Sequence, residues 1–226
     1  MNLPLVSIFY VLVWLAAGWL ALLCLGDRLR GKSARARRVL LPALGAIMLL
    51  FLLVPVGGLP GWSRAFSFWT NPSLPLLGLI AVALWHRLTP VRVFRSEDWR
   101  GAWIFGAVAG FVLYIPPLVG GTIDLYFWGW DSRVAILGLT GLTVAFVAAG
   151  RRMGVLILGS LMAYSIDALE SRNGWDYLID PVYWMISLGW LGARGIRLGL
   201  GRGSRGAAGK TVVAGPTALA DLSAKP

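Results

Sequence analysis

The sequence predicts an all-α fold: a polytopic bundle of about seven transmembrane helices, with the N-terminus out and the C-terminus in. Three observations predict it. The 226 residues are 58% hydrophobic and 14% charged, too few polar groups to coat a water-soluble domain of this size. Seven apolar runs approach the roughly 20 helical residues that a hydrocarbon core requires. The basic residues are sorted between alternate loops, as they are when one set of loops is cytoplasmic. Lipid offers the backbone no hydrogen-bond partner and runs this short cannot close a barrel, so each run is read as a helix.

The first run, 3–25, has its basic cluster behind it and none before it, so it reads as a retained span and not as a signal peptide. Cys24 near its end reads as a small buried hydrophobe; its place beside a basic loop also fits acylation. The second run, 39–58, ends at Gly57-Gly58, a helix-stop signal. The third, 72–87, opens on Asn71-Pro72, an N-cap followed by proline at the first helical position, and closes with His86 as a solvated end residue. In the stretch before the fourth run, Arg92, Arg95 and Arg100 stand within reach of Glu97 and Asp98, a charged interfacial entry that also suits a phosphate.

The fourth run, 101–119, contains Gly106-x-x-x-Gly110, which permits close approach of another helix. Its Pro116-Pro117 removes two backbone donors, so the helix is expected to kink or end there, before the stop at Gly120-Gly121. The fifth, 134–150, carries Gly138 and Gly141 and leads into the tight turn Arg151-Arg152. The sixth is 155–170. The seventh, 180–198, starts with Asp180-Pro181 as cap and first position, and its Arg194 and Arg197 reach toward headgroups. Residues 1–200 thus form the membrane domain. Residues 201–226 read as a flexible, basic, glycine-rich tail suited to touching anionic lipid.

Of the 21 basic residues, only Arg64, Arg133 and Arg172 fall in the even-numbered loops. The positive-inside rule therefore puts the odd loops and the C-terminus in the cytoplasm. Asp124, Asp131, Asp167, Glu170, Asp176 and Asp180 gather on the opposite side, with aromatic groups suited to a headgroup belt. Short arginine-rich cytoplasmic loops without organelle signals suit a bacterial inner membrane.

Composition also excludes chemistry. The net charge of +11 is explained by the cytoplasmic loops, so nucleic acid is not an expected partner. One cysteine and one histidine exclude an intrachain disulfide and a bis-histidine haem. No lysine lies within an apolar run to form a Schiff base. No cofactor is expected.

The stretch SIDALESRNGWDYLIDPVYW, residues 165–184, is the candidate site. Continuing the sixth helix places Asp167 about 18 Å along the axis from Val155. Glu170 then follows on the same face, and Tyr164 precedes it. Two adjacent carboxylates near lipid need a proton or a cation. The candidate outer-side site is Asp167, Glu170, Arg172, Asn173, Asp176 and Asp180, with Asp124, Asp131 and Tyr164 in support. It suits a cation, a sugar or amine headgroup, or acid–base work. A structural alternative makes Asp180 a helix cap and Asp167–Arg172 a surface pair.

Three function classes follow. The first is a non-enzymatic accessory or assembly subunit of an envelope complex, whose partners are the bilayer and other membrane proteins. The second is a small transporter component with Asp167 and Glu170 facing the bundle interior. The third is an intramembrane enzyme acting on a lipid headgroup, which requires three or more carboxylates around one cavity.

Overall fold

Eight α-helices, two short 3-10 turns and one minimal antiparallel strand pair make up residues 3–28, 34–120 and 123–209, the part of the chain that the computed structural model describes. Seven of these helices occupy the seven apolar runs, and most of their ends are set by identifiable local chemistry.

Helix α1 is Leu3–Arg28 and α2 is Ala34–Leu53. The second was expected to reach Gly57-Gly58, but it stops four residues short of Gly57. Proline disfavours the helical conformation in the residue before it, and Pro55 follows Val54. Strands β1 (Pro55–Val56) and β2 (Leu59–Pro60) pair antiparallel, Val56 opposite Leu59. Gly57 and Gly58 have φ of 63° and 80°, so the two glycines form a hairpin turn that needs positive φ at both central positions. Helix α3, Gly61–Phe68, follows directly and was not expected.

Helix α4 is Leu74–Leu88, capped by Ser73 with Pro75 in its first turn, so the expected cap at Asn71-Pro72 lies two residues too early. The cause is tertiary: the Ser73 N–H donates to Asp180 Oδ2 at 2.8 Å, which fixes where the helix begins. Helix α5, Ser96–Leu118, starts five residues before the expected Gly101. Asp98 at its third position accepts the Arg95 N–H at 2.9 Å, the carboxylate half of a capping box. The helix runs through Pro116 and Pro117 to Leu118. It then stops at Gly120, with φ of 70°, as expected.

Helix α6 is Ser132–Ala148, and Asp131 caps it through the Arg133 N–H at 2.9 Å. Gly150 (φ 66°) donates to Val147 O and Arg151 N donates to Phe146 O, a Schellman termination that turns the chain into α7, Met153–Ser165. Helix α8 is Pro181–Gly209, with Asp180 as cap and Pro181 at the first position, as expected. It continues into the glycine-rich segment expected to be a tail. Glycine weakens a helix without forbidding it. The expected contacts of Lys210 and Lys225 with anionic lipid lie outside the described residues, as do Arg30 and Lys32 of the first basic loop.

Helix α1 packs on α2 and α4, α4 on α7, α7 on α5 and α6, and α5 on α8. The α5–α8 seam uses the Gly106/Gly110 pair inside the bundle. A Cβ on Gly106 would lie 2.3 Å from Ser187 Oγ, and one on Gly110 would lie 2.3 Å from the Trp184 ring. The core holds Leu76, Leu79, Leu139, Ile157, Tyr177 and Tyr183, all buried.

By length and composition one described helix, α5, is long and apolar enough to cross a membrane. The 15 residues of α4 and the 13 of α7 rise about 22 and about 20 Å, short of a hydrocarbon core of about 30 Å.

Candidate functional site

The expected site begins where α7 ends. The helix stops at Ser165 and does not reach Glu170, so Asp167 and Glu170 share no helical face. Asp167 adopts φ of 50°. Its N–H donates to Tyr164 O at 3.2 Å, and the next N–H, Ala168, donates to Ala163 O at 3.0 Å. That pattern is a second Schellman motif, with Asp167 in the left-handed position where glycine is usual and Asp is tolerated. The carboxylate itself is exposed. The backbone at Asp167 ends α7 and turns the chain. Asp167, Glu170 and Arg172 border an open surface hollow of about 370 Å³ with Leu169 and Ser171. No ion pair joins Asp167 to Arg172 among the described residues.

Past this turn the chain goes inward. Leu169 is buried, and its N–H donates to Tyr177 Oη at 3.1 Å. Asn173 is fully buried and caps the 3-10 turn Gly174–Tyr177 by accepting the Trp175 N–H at 2.9 Å. Its Nδ2 donates to Tyr126 O at 3.1 Å. Trp175 Nε1 donates to Leu125 O at 2.9 Å. The loop preceding α6 is therefore pinned onto the α7–α8 connection. Contact is so close that a Cβ on Gly129 would lie 1.9 Å from Asn173 Oδ1.

Asp176 sits at the centre of this seam. One carboxylate oxygen accepts the Tyr126 hydroxyl at 2.8 Å and the other accepts the Ser171 hydroxyl. Burial pushes the Asp176 carboxyl above its ordinary range, only partly offset by the two hydroxyls. Burial, then the charge of Asp176, raises the Tyr126 phenol, which stays protonated and donating. Burial likewise raises Tyr177.

Asp180 is 2% exposed and points elsewhere. Oδ1 accepts the Tyr183 N–H at 2.9 Å and Oδ2 the Ser73 N–H at 2.8 Å, so it caps α8 and anchors the start of α4 at once. Asp124 accepts the Phe127 N–H at 3.0 Å in a local turn. Tyr164 packs edge-on against Tyr177, ring centroids 5.2 Å apart. The six expected site residues thus separate into an exposed group (Asp167, Glu170, Arg172) and an inward group (Asn173, Asp176, Asp180). Among the described residues no three His, Cys, Asp or Glu side chains come together in a way that could hold a metal ion.

Three participants escaped sequence reading. Tyr126 is one of the aromatics assigned to a headgroup belt, Ser73 was placed inside the third run, 72–87, and Ser171 was passed over. Ser171-x-Asn173-Gly174 is turn chemistry and was the one legible signal; Tyr126 lies 50 residues from Asp176 and carried none.

Elsewhere, Glu97 pairs with Arg151 at 3.2 Å, not with the arginines of its own segment. Asp98 takes backbone N–H groups of Arg95 and Arg152. His86 is not merely a solvated end: its Nε2 accepts the Phe94 N–H at 3.1 Å. Cys24 is exposed, not buried, with Arg87 Nη2 donating to its sulfur at 3.4 Å. No family model matches the chain, and neither a curated protein nor a solved structure does.

Proposed function

We propose that this chain is a multi-pass protein of the bacterial inner membrane, seven crossings with the C-terminus inside. Its role in this reading is that of a non-enzymatic accessory or assembly subunit of an envelope complex. One observation carries it: the helices of the seven apolar runs turn large apolar side chains outward while the buried Asp98 and Asp180 hold backbone N–H groups. Leu12, Phe51, Phe111, Leu137, Met162 and Met185 are all more than half exposed. A water-soluble monomer rarely exposes such a surface. Hydrocarbon or the helices of a partner would cover it without penalty.

The short helices fit this reading through the connection between α7 and α8. Non-helical backbone at membrane depth is tolerated where its polar groups are satisfied within the protein. Tyr177, Asn173 and Asp180 do that for backbone at Leu169, Trp175, Tyr126, Tyr183 and Ser73. A transporter using Asp167 and Glu170 would need both to face the interior, and both are exposed. A headgroup enzyme would need three convergent carboxylates, which the described residues do not bring together.

The test has two parts. A reporter fused after Lys210 is expected on the cytoplasmic face; an external signal refutes the orientation. Asp167→Asn and Glu170→Gln, made separately, are expected to keep wild-type expression and to complement a deletion. Loss of complementation at normal expression would instead support transport or catalysis.

A further inference from the structure

We propose that the arginine-rich end of the bundle holds a site for the phosphate of an anionic phospholipid of the cytoplasmic leaflet, with Arg100 and Arg151 as its cationic contacts. This rests on the multi-pass reading above. A hollow of about 450 Å³ lies between the first turns of α5 and the α6–α7 turn. Glu97, Asp98, Arg100 and Arg151 border it, and Ile104 and Phe146 add apolar wall.

The fold builds this arrangement. The Schellman turn bonds Arg151 N to Phe146 O at 2.8 Å, and both residues line the hollow. Arg100 and Ile104 are one helical turn apart on one face of α5. The two carboxylates do not cancel the arginines. Asp98 is buried, and its oxygens accept the N–H groups of Arg95 at 2.9 Å and Arg152 at 3.4 Å. Glu97 is 76% exposed in its pair with Arg151, so solvent weakens that pair and a stronger acceptor can displace it. Arg100 has no partner among the described residues. Arg92, Arg95, Arg100, Arg151 and Arg152 outnumber Glu97 and Asp98 across these two segments.

Guanidinium groups match the oxygens of a phosphate diester in a bidentate fork. Basic pockets at the cytoplasmic ends of helices suit such headgroups. What favours a lipid over free phosphate is the surface next to the hollow. Ile104, Val108 and Phe111 follow one another along one face of α5 and are 40%, 57% and 59% exposed. This stripe leads from the charged end along the helix, where an acyl chain would lie once the phosphate is held.

The experiment reconstitutes the full chain in phosphatidylcholine vesicles with spin-labelled phosphatidylglycerol or spin-labelled phosphatidylcholine. Electron paramagnetic resonance then reads the motionally restricted fraction of each. A restricted fraction with both lipids, larger for phosphatidylglycerol, is expected. Arg100→Gln should lower the phosphatidylglycerol association constant about fivefold, the factor corresponding to about 1 kcal/mol per basic residue at an anionic surface. Glu97→Gln, which keeps both arginines, should raise it. Arg194→Gln with Arg197→Gln removes twice that charge from α8, outside the hollow, and should lower it less than Arg100→Gln does. No restricted fraction with either lipid would sink the membrane reading itself. Equal fractions for the two lipids, or an equal loss in the α8 variant, would overturn the site alone. Abolition of the preference by inorganic phosphate at constant ionic strength would assign the site to free phosphate and overturn the lipid.

Discussion

Replacing Asn173 with alanine removes two side-chain bonds, one that ties the loop before α6 to the α7–α8 connection and one that caps the turn Gly174–Tyr177. The residue is fully buried, so no solvent stands ready to replace them. The Trp175 N–H loses its acceptor at 2.9 Å and the Tyr126 carbonyl its donor at 3.1 Å. A buried polar group left without a partner costs about 1–3 kcal/mol, so the two together cost about 2–6 kcal/mol. Water entering the space left beside Gly129 would bring the value toward the lower end. The measurement is unfolding in mild detergent micelles titrated with dodecyl sulfate, followed by tryptophan fluorescence. Asn173→Asp is the informative partner variant. It keeps the acceptor for Trp175, loses the donor to Tyr126 and adds a charge to the Asp176 seam, so it should destabilise at least as much as alanine. A change below about 0.5 kcal/mol in both variants would refute the reasoning, since surface substitutions alone produce that much.

Three further outcomes are expected. Because burial raises the folded-state pKa of Asp176, between the unfolded and the raised value the native state holds a proton that the unfolded state has released. Stability should therefore fall as pH rises from about 4 through the raised value and then level off, and Asp176→Asn should abolish that fall; denaturation midpoints across this range check it. Asp167→Gly should be neutral or stabilising by up to about 1 kcal/mol, and Asp167→Val destabilising by about 1–2 kcal/mol, because only the left-handed backbone at this position is being tested. Gly106→Val should push α5 from α8 at Tyr183 and Ser187 and cost about 3 kcal/mol or more, read as a lowered melting temperature of the purified chain.

Helices and their order were legible because apolar run length is a local property, and all seven runs became helices. Caps were legible where the cap is local: Asp180-Pro181 starts α8 and Gly120 ends α5, both as read. Ends set by distant partners were not legible. Ser73 starts α4 because a carboxylate 107 residues away holds its N–H. Asp167 was expected on a helix because Ile166-Asp167-Ala168 carries no glycine to announce a left-handed stop. The acidic stretch was singled out because its charge stands in an otherwise apolar chain. Its Asp180 caps α8, as the structural alternative had it, but Asp167 and Glu170 share no face, because spacing along the chain says which residues share a face only while the helix continues.

The sequence alone determined an all-helical chain of seven apolar segments with arginines segregated between alternate loops, since hydropathy and charge are summed along the chain. Only the tertiary structure decided that Asn173 and Asp180 turn inward to hold backbone and Asp176 to hold two hydroxyls, while Asp167 and Glu170 stay in solvent. That outcome depends on which loop lies against which, and hydrogen bonds between loops some 50 residues apart leave no periodic trace in sequence.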